Sequence, residues 1–186
     1  MVPVRRDNPG VIFITGMPGA GKTTVARALA YSFERGAHLE EDWVWWWLTM
    51  SGAAGGGHDE QFKRDRGRVF MRHIASLVDN LGAEGFVPVV DGAIMRWSWL
   101  VDRLARIRTR PAFLVVLAPA DDTSKARDCE RSGLTFYDKY PDFENTLGDE
   151  FAERGLWIET DDLSVGATVA LILDRLDAAR LVDTAP

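Results

Sequence analysis

Gly16-Met17-Pro18-Gly19-Ala20-Gly21-Lys22-Thr23 is the stretch on which the fold turns. It satisfies G-x-x-x-x-G-K-[ST] at every defined position. Glycines at these places let backbone N–H groups turn inward onto phosphate oxygens. The lysine reaches the β- and γ-phosphates, and the threonine hydroxyl suits a magnesium ion. The context fits as well. The apolar run Val11–Thr15 reads as a strand leading into the loop, and Lys22–Arg35 reads as a helix leaving it, stopped by Gly36. The positive end of that helix favours an anion at the loop. Gly16, Gly19, Ala20, Gly21, Lys22, Thr23 and Thr24 are therefore the candidate residues for a nucleoside triphosphate. Asn-Lys-x-Asp, the guanine signature, does not occur, which disfavours a GTPase.

Outward from this loop, short apolar runs alternate with helical stretches. Strands are expected at Ala37–Glu40, Phe86–Val90, Ala112–Ala118 and Leu156–Thr160. Pro88 weakens the third, because proline donates nothing to a ladder. Helices are expected at Asp42–Met50, His58–Leu81, Arg96–Arg108, Asp121–Arg131, Asp142–Arg154 and Ser164–Leu181, the last capped by Ser164. Gly82 is the expected stop of the long helix, whose apolar face carries Phe62, Phe70, Ile74, Leu77 and Leu81. Ser51–Gly57 reads as a glycine-rich loop. Strands alternating with helices imply an α/β fold, a parallel sheet with helices on both faces.

The chain has 186 residues, 46% hydrophobic and 27% charged, with a net charge of -6. That length is one domain by a soft prior of about 150 residues each. A chain of this size buries roughly 70% of its unfolded surface and needs no staples. No apolar run reaches the roughly 18 residues of a membrane span, and Met1–Gly10 is not expected to be a signal peptide. An acidic balance argues against a nucleic-acid partner. One cysteine, Cys129, excludes an internal disulfide and a cysteine-based zinc lid; it is read as structural, and a reducing cytoplasm is the expected location.

With its phosphate loop and this element order, the chain resembles the small P-loop kinases: gluconate kinase, shikimate kinase, chloramphenicol phosphotransferase and, more distantly, adenylate kinase. The resemblance implies a three-layer P-loop fold over residues 1–186, with a five-stranded parallel sheet in the order 2-3-1-4-5. It also implies a capping region over about 41–81 and a short lid over about 127–141. Members of the group move the γ-phosphate of ATP, with Mg²⁺, to a small acceptor. On this likeness Asp42 is the favoured base for the acceptor hydroxyl, with Glu41 second, although Glu40-Glu41-Asp42 also reads as an acidic helix start. Asp91, at the end of the third strand, holds the metal with Thr23 or orients the acceptor, or is a turn residue before Gly92. Arg96 follows at a substrate-contacting place. Arg127 and Arg131, four apart on one helix face, stand where the lid begins; one would stack on adenine and the other reach the phosphates. Lys22, Asp42, Arg127 and Arg131 are thus the expected catalytic set.

Trp43, Trp45, Trp46 and Trp47, with Trp97 and Trp99, either wall an acceptor pocket or pack in the core, the commoner fate. Trp46 is assigned to the pocket. Arg64, Arg68 and Arg72 form a stripe that reads mainly as a solvated face, and His73 as a packed residue. Asp42, Trp46, Asp91 and Arg96 make the expected acceptor site. Two other readings stand beside a small-molecule kinase: a polynucleotide 5′-hydroxyl kinase, and a switch module that hydrolyses ATP slowly.

Overall fold

The computed structural model describes residues 7–48, 60–132, 146–152 and 154–181. The expected loop Ser51–Gly57 and His58 lie outside these residues, as does the expected lid beyond Ser132. Five strands, β1 (Val11–Gly16), β2 (Gly36–Glu40), β3 (Val87–Asp91), β4 (Ala112–Leu117) and β5 (Leu156–Ile158), form one sheet in the order β2-β3-β1-β4-β5. Every pairing is parallel. The helices are α1 (Lys22–Ala30), α2 (Glu41–Trp47), α3 (Glu60–Ala83), α4 (Trp97–Leu104), α5 (Asp121–Ser132), α6 (Thr146–Phe151) and α7 (Val165–Asp174).

Alternation along the strands sorts the core into two layers. Phe13, Val90, Leu114 and Val116 face α2, α3, α4 and α6 through Val44, Ile74, Leu100 and Phe151. Ile12, Ile14, Val89 and Val115 face α1 and α7 through Leu29, Val169 and Ile172. β1 and β4 are buried along their whole length, as continuous apolar runs in a doubly covered sheet should be. Pro88 is tolerated for a local reason. Val87 donates to Arg35 on the β2 side and Gly92 to Ile14 on the β1 side. Alternation then turns the Pro88 nitrogen towards β1, one residue before the first β1–β3 pair, Ile12–Val89. No ladder bond there needs its missing donor.

Several helix ends differ from expectation. α1 stops at Ala30 rather than Arg35, because Ser32 and Phe33 close tight turns onto Leu29 and Ala30 and bury Phe33 in the core. α3 runs through Gly82 to Ala83, and the chain turns at Gly85, whose φ is +77°. α7 ends at Asp174; a 3₁₀ turn follows, and Leu181 N–H bonds to Ala112 O at the start of β4. The largest departure is α2. It is two turns long, and only Glu41 and Val44 are buried. Trp43, Trp46 and Trp47 are 63%, 59% and 56% exposed, so these tryptophans are not core. A helix this short buries one stripe, and a segment apolar all round gives no period from which to find it. His73 is exposed too, its Nδ1 beside Val69 O.

Candidate active site

The phosphate loop leaves β1 and enters α1 as expected. Gly19 has φ +81°, and a Cβ there would stand 2.0 Å from Ser124 O, so the loop is clamped under the first turns of α5. Gly21 has φ +86° with nothing near its would-be Cβ, leaving that side open for phosphate. Lys22 Nζ donates to Met17 O at 3.0 Å, folding the side chain over the cradle.

The buried carboxylate of Asp91 sits beside this cradle. Its Oδ2 accepts from Thr23 Oγ1 at 2.7 Å, and its Oδ1 lies 2.6 Å from His38 Nε2. The pairing of β1 with β3 aligns Ile14 with Asp91, so the carboxyl end of β3 meets the loop. Thr23 and Asp91 present a hydroxyl and a carboxylate, the hard oxygen donors that a magnesium ion with few protein ligands prefers. Among the described residues no group of three or more His, Cys, Asp and Glu could hold a metal by itself. His38 has no motif in the sequence to mark it. Glu40, beside Asp91 across the β2–β3 pairing, has its carboxyl raised above the usual range, by burial first and then by the Asp91 charge.

The three acidic candidates divide. Glu41 is buried and accepts from Arg103 Nε at 2.6 Å and from Arg103 Nη2 at 2.7 Å. A Cβ on Gly92 would fall 2.2 Å from Glu41 Oε2, so glycine is required where β3 turns away. Glu41 is thereby committed to structure. Asp42 is exposed and has no hydrogen-bond or ion-pair partner among the described residues.

Asp42 opens onto a cavity of about 710 Å³ between α2, α3 and α4. Trp45, Gly67, Phe70, Met71, Ala93 and Trp99 give it apolar walls. Glu41, Arg68, Asp102, Arg103 and Arg106 supply the remaining polar groups. Trp46 does not line it; Trp45 and Trp99 do, since the helical turn from Asp42 carries Trp45 to the cavity side. Arg96 is also outside the lining, exposed at the start of α4 with its guanidinium 6.0 Å from the Trp99 ring. Of the Arg64–Arg72 stripe, only Arg68 reaches the cavity.

Another cavity, about 220 Å³, lies against the phosphate loop and the start of α1. Ala20, Gly21, Thr24, Arg127, Thr160 and Leu163 are among its walls. Thr160 is buried, and its Oγ1 has no hydrogen-bond partner among the described residues. The neighbouring Asp161 accepts from Ala120 N–H at 2.8 Å and Thr123 Oγ1 at 2.7 Å, tying the end of β5 to the start of α5. Those bonds, the Thr123 one foremost, hold its carboxyl below the usual range. Arg131 belongs to the same helix as Arg127, and its side chain lies outside the described residues. Cys129 is exposed and not part of the packed core.

Comparison with known proteins bears on the fold. Residues 2–44 match the Zeta toxin family. No curated protein matches the chain by sequence. Among solved structures, a sugar kinase from Janibacter sp. HTCC2649 is 17% identical, with a TM-score of 0.59 over 95% of this chain and 96% of that one. A gluconokinase from Sinorhizobium meliloti 1021 is 17% identical, with a TM-score of 0.60 over 92% and 98%. The Mycobacterium tuberculosis APS kinase, solved with AMPPNP and APS, is 18% identical, with a TM-score of 0.58 over 94% and 99%. With its phosphate loop and its 2-3-1-4-5 parallel sheet, the chain has the P-loop kinase fold.

Proposed function

We propose that this chain is an ATP-dependent phosphotransferase that moves the γ-phosphate to a hydroxyl of a small-molecule acceptor. The observation that carries the reading is the phosphate loop together with two cavities, one lined by Ala20 and Gly21 of the loop, the other by Asp42 just after β2 and Ala93 just after β3. The smaller has Arg127 and the orphaned Thr160 hydroxyl, suited to a base. The larger has an unpartnered carboxylate at its mouth.

The loop amides and Lys22 hold the phosphates and gather negative charge as it shifts in the transition state. Thr23 and Asp91 would hold Mg²⁺, which when bound neutralises charge on the β- and γ-phosphates. Asp42 takes the acceptor's hydroxyl proton. The hydroxyl oxygen bonds to the γ-phosphorus as the bond to the β,γ-bridging oxygen breaks, and ADP leaves. Arg127 and Arg131 would close over the nucleotide as part of the 127–141 lid, and 41–81 would cap the acceptor.

The test is transfer of label from γ-labelled ATP to a metabolite extract with Mg²⁺, with Lys22→Ala as control. One discrete labelled product that requires Lys22 supports the proposal. Label appearing only as free phosphate across extracts overturns it and leaves a nucleotide-hydrolysing module.

A further inference from the structure

We infer that the acceptor is a neutral aromatic alcohol of one to three rings, rather than a sugar acid or a phosphorylated sugar. The inference rests on the kinase reading above and specifies its acceptor site.

The first argument is the wall. Trp45 and Trp99 line the cavity and stay 37% and 41% exposed, so part of each ring is open, one face of Trp45 being covered by Arg66. Trp45 is also held in place before any ligand arrives. Its ring meets Phe70 edge-on at 5.4 Å and 88°, and the Arg66 guanidinium stacks 3.4 Å from its centroid. A fixed aromatic surface binds a flat ring at little ordering cost.

The second argument is charge. Three carboxylates (Glu41, Asp42, Asp102) and three guanidiniums (Arg68, Arg103, Arg106) line the cavity, so its formal charges balance. The guanidiniums are already engaged. Arg103 is spent on Glu41, Arg68 pairs with Asp65 at 2.8 Å, and Arg106 donates to Asp102 O at 2.7 Å. An anionic acceptor would compete with these contacts and come close to Asp42. A polyol would set part of its hydroxyls against Trp45, Phe70, Met71 and Trp99, and a buried hydroxyl without a partner is costly. A volume of about 710 Å³ lies within the range for drug-sized ligands.

The transfer is the one described above, with the proton passing from the aryl alcohol's hydroxyl to Asp42 and ADP leaving. The experiment measures affinity by calorimetry for 2-phenylethanol, 2-(2-naphthyl)ethanol, 4-biphenylmethanol and gluconate. The same compounds are tested as acceptors with γ-labelled ATP and Mg²⁺. At least one aryl alcohol should bind about tenfold or more tightly than gluconate, and Trp99→Ala should weaken it about tenfold. Trp99→Phe should restore most of the loss, and thermal melting shows whether each variant is folded. Gluconate binding as tightly as every aryl alcohol, or aryl binding indifferent to Trp99, overturns the inference. Label passing to gluconate and to no aryl alcohol overturns it too, while leaving the kinase reading intact. Aryl binding that depends on Trp99, with no labelled product from these alcohols or from extracts, supports the aromatic cavity and sinks the kinase reading instead.

Discussion

Glu41 and Arg103 lie 62 residues apart in sequence and meet in a buried two-point ion pair, Nε to Oε1 at 2.6 Å and Nη2 to Oε2 at 2.7 Å. The pair joins the start of α2 to α4 in the wall of the cavity of about 710 Å³. Removing one member strands the other as a buried charge. Arg103→Ala should therefore lose about 3–5 kcal/mol of stability in urea unfolding. The double variant Glu41→Met/Arg103→Met should recover most of that loss, since an apolar pair of similar bulk leaves no charge unpaired.

Asp42→Asn should keep ATP affinity unchanged and lower acceptor-dependent turnover about 10²- to 10⁴-fold, the usual contribution of a positioned base. Direct nucleotide binding and single-turnover transfer separate the two effects. Unchanged turnover would remove Asp42 from the chemistry.

His38 Nε2 lies 2.6 Å from Asp91 Oδ1, so on the proposed reading it would act on the metal site through Asp91. His38→Ala should raise the Mg²⁺ concentration for half-maximal activity about tenfold or more, as loss of an outer-sphere partner commonly does. His38→Gln, which keeps a donor, should recover part of it. An unchanged Mg²⁺ requirement in His38→Ala would show the contact to be packing only.

Thr160→Val removes a buried hydroxyl that the protein itself leaves without a partner. Thermal stability should hold or rise slightly. ATP affinity should fall about two- to tenfold, the worth of one net hydrogen bond. Unaltered ATP affinity would mean that the nucleotide base does not reach this hydroxyl.

Asp79 ties the end of α3 to the approach to β4. It accepts from Arg108 N–H at 2.8 Å, Thr109 N–H at 2.9 Å and Thr109 Oγ1 at 3.0 Å. Burial alone would raise its carboxyl; the Thr109 and Arg108 hydrogen bonds outweigh burial and hold it below the usual aspartate range. A lowered folded-state value means that the stabilisation is present above about pH 4 and fades as pH falls through the folded value. The stability gap between the wild-type protein and Asp79→Asn should therefore be full at pH 7 and narrow towards pH 3 in denaturant titrations. A gap of constant size would show that the carboxylate's charge contributes nothing.

The phosphate loop was legible in full because it is a local signal: its spacing and its flanking strand and helix lie within one short stretch. Sheet order came from the likeness to a family, and Asp91 from standing at a strand end. What stayed hidden depends on contacts between distant segments. No period or motif marks His38, whose contact with Asp91 exists only once β2 lies beside β3. Glu41 and Asp42 are neighbours of similar chemistry, and only the arrival of Arg103 from α4 distinguishes the clamp from the open carboxylate. The tryptophans of α2 misled for the opposite reason: apolar residues on every side look like core, yet a two-turn helix has just one side to bury.

The sequence match to the Zeta toxin family covers residues 2–44 and ends within α2. One cavity lies against the phosphate loop, α5 and the turn after β5; the other lies among α2, α3 and α4. On the proposed reading, changes in α2, α3 and α4 would retune acceptor choice while the phosphate loop keeps its nucleotide, and exchange of those helices would be the corresponding route for an engineer.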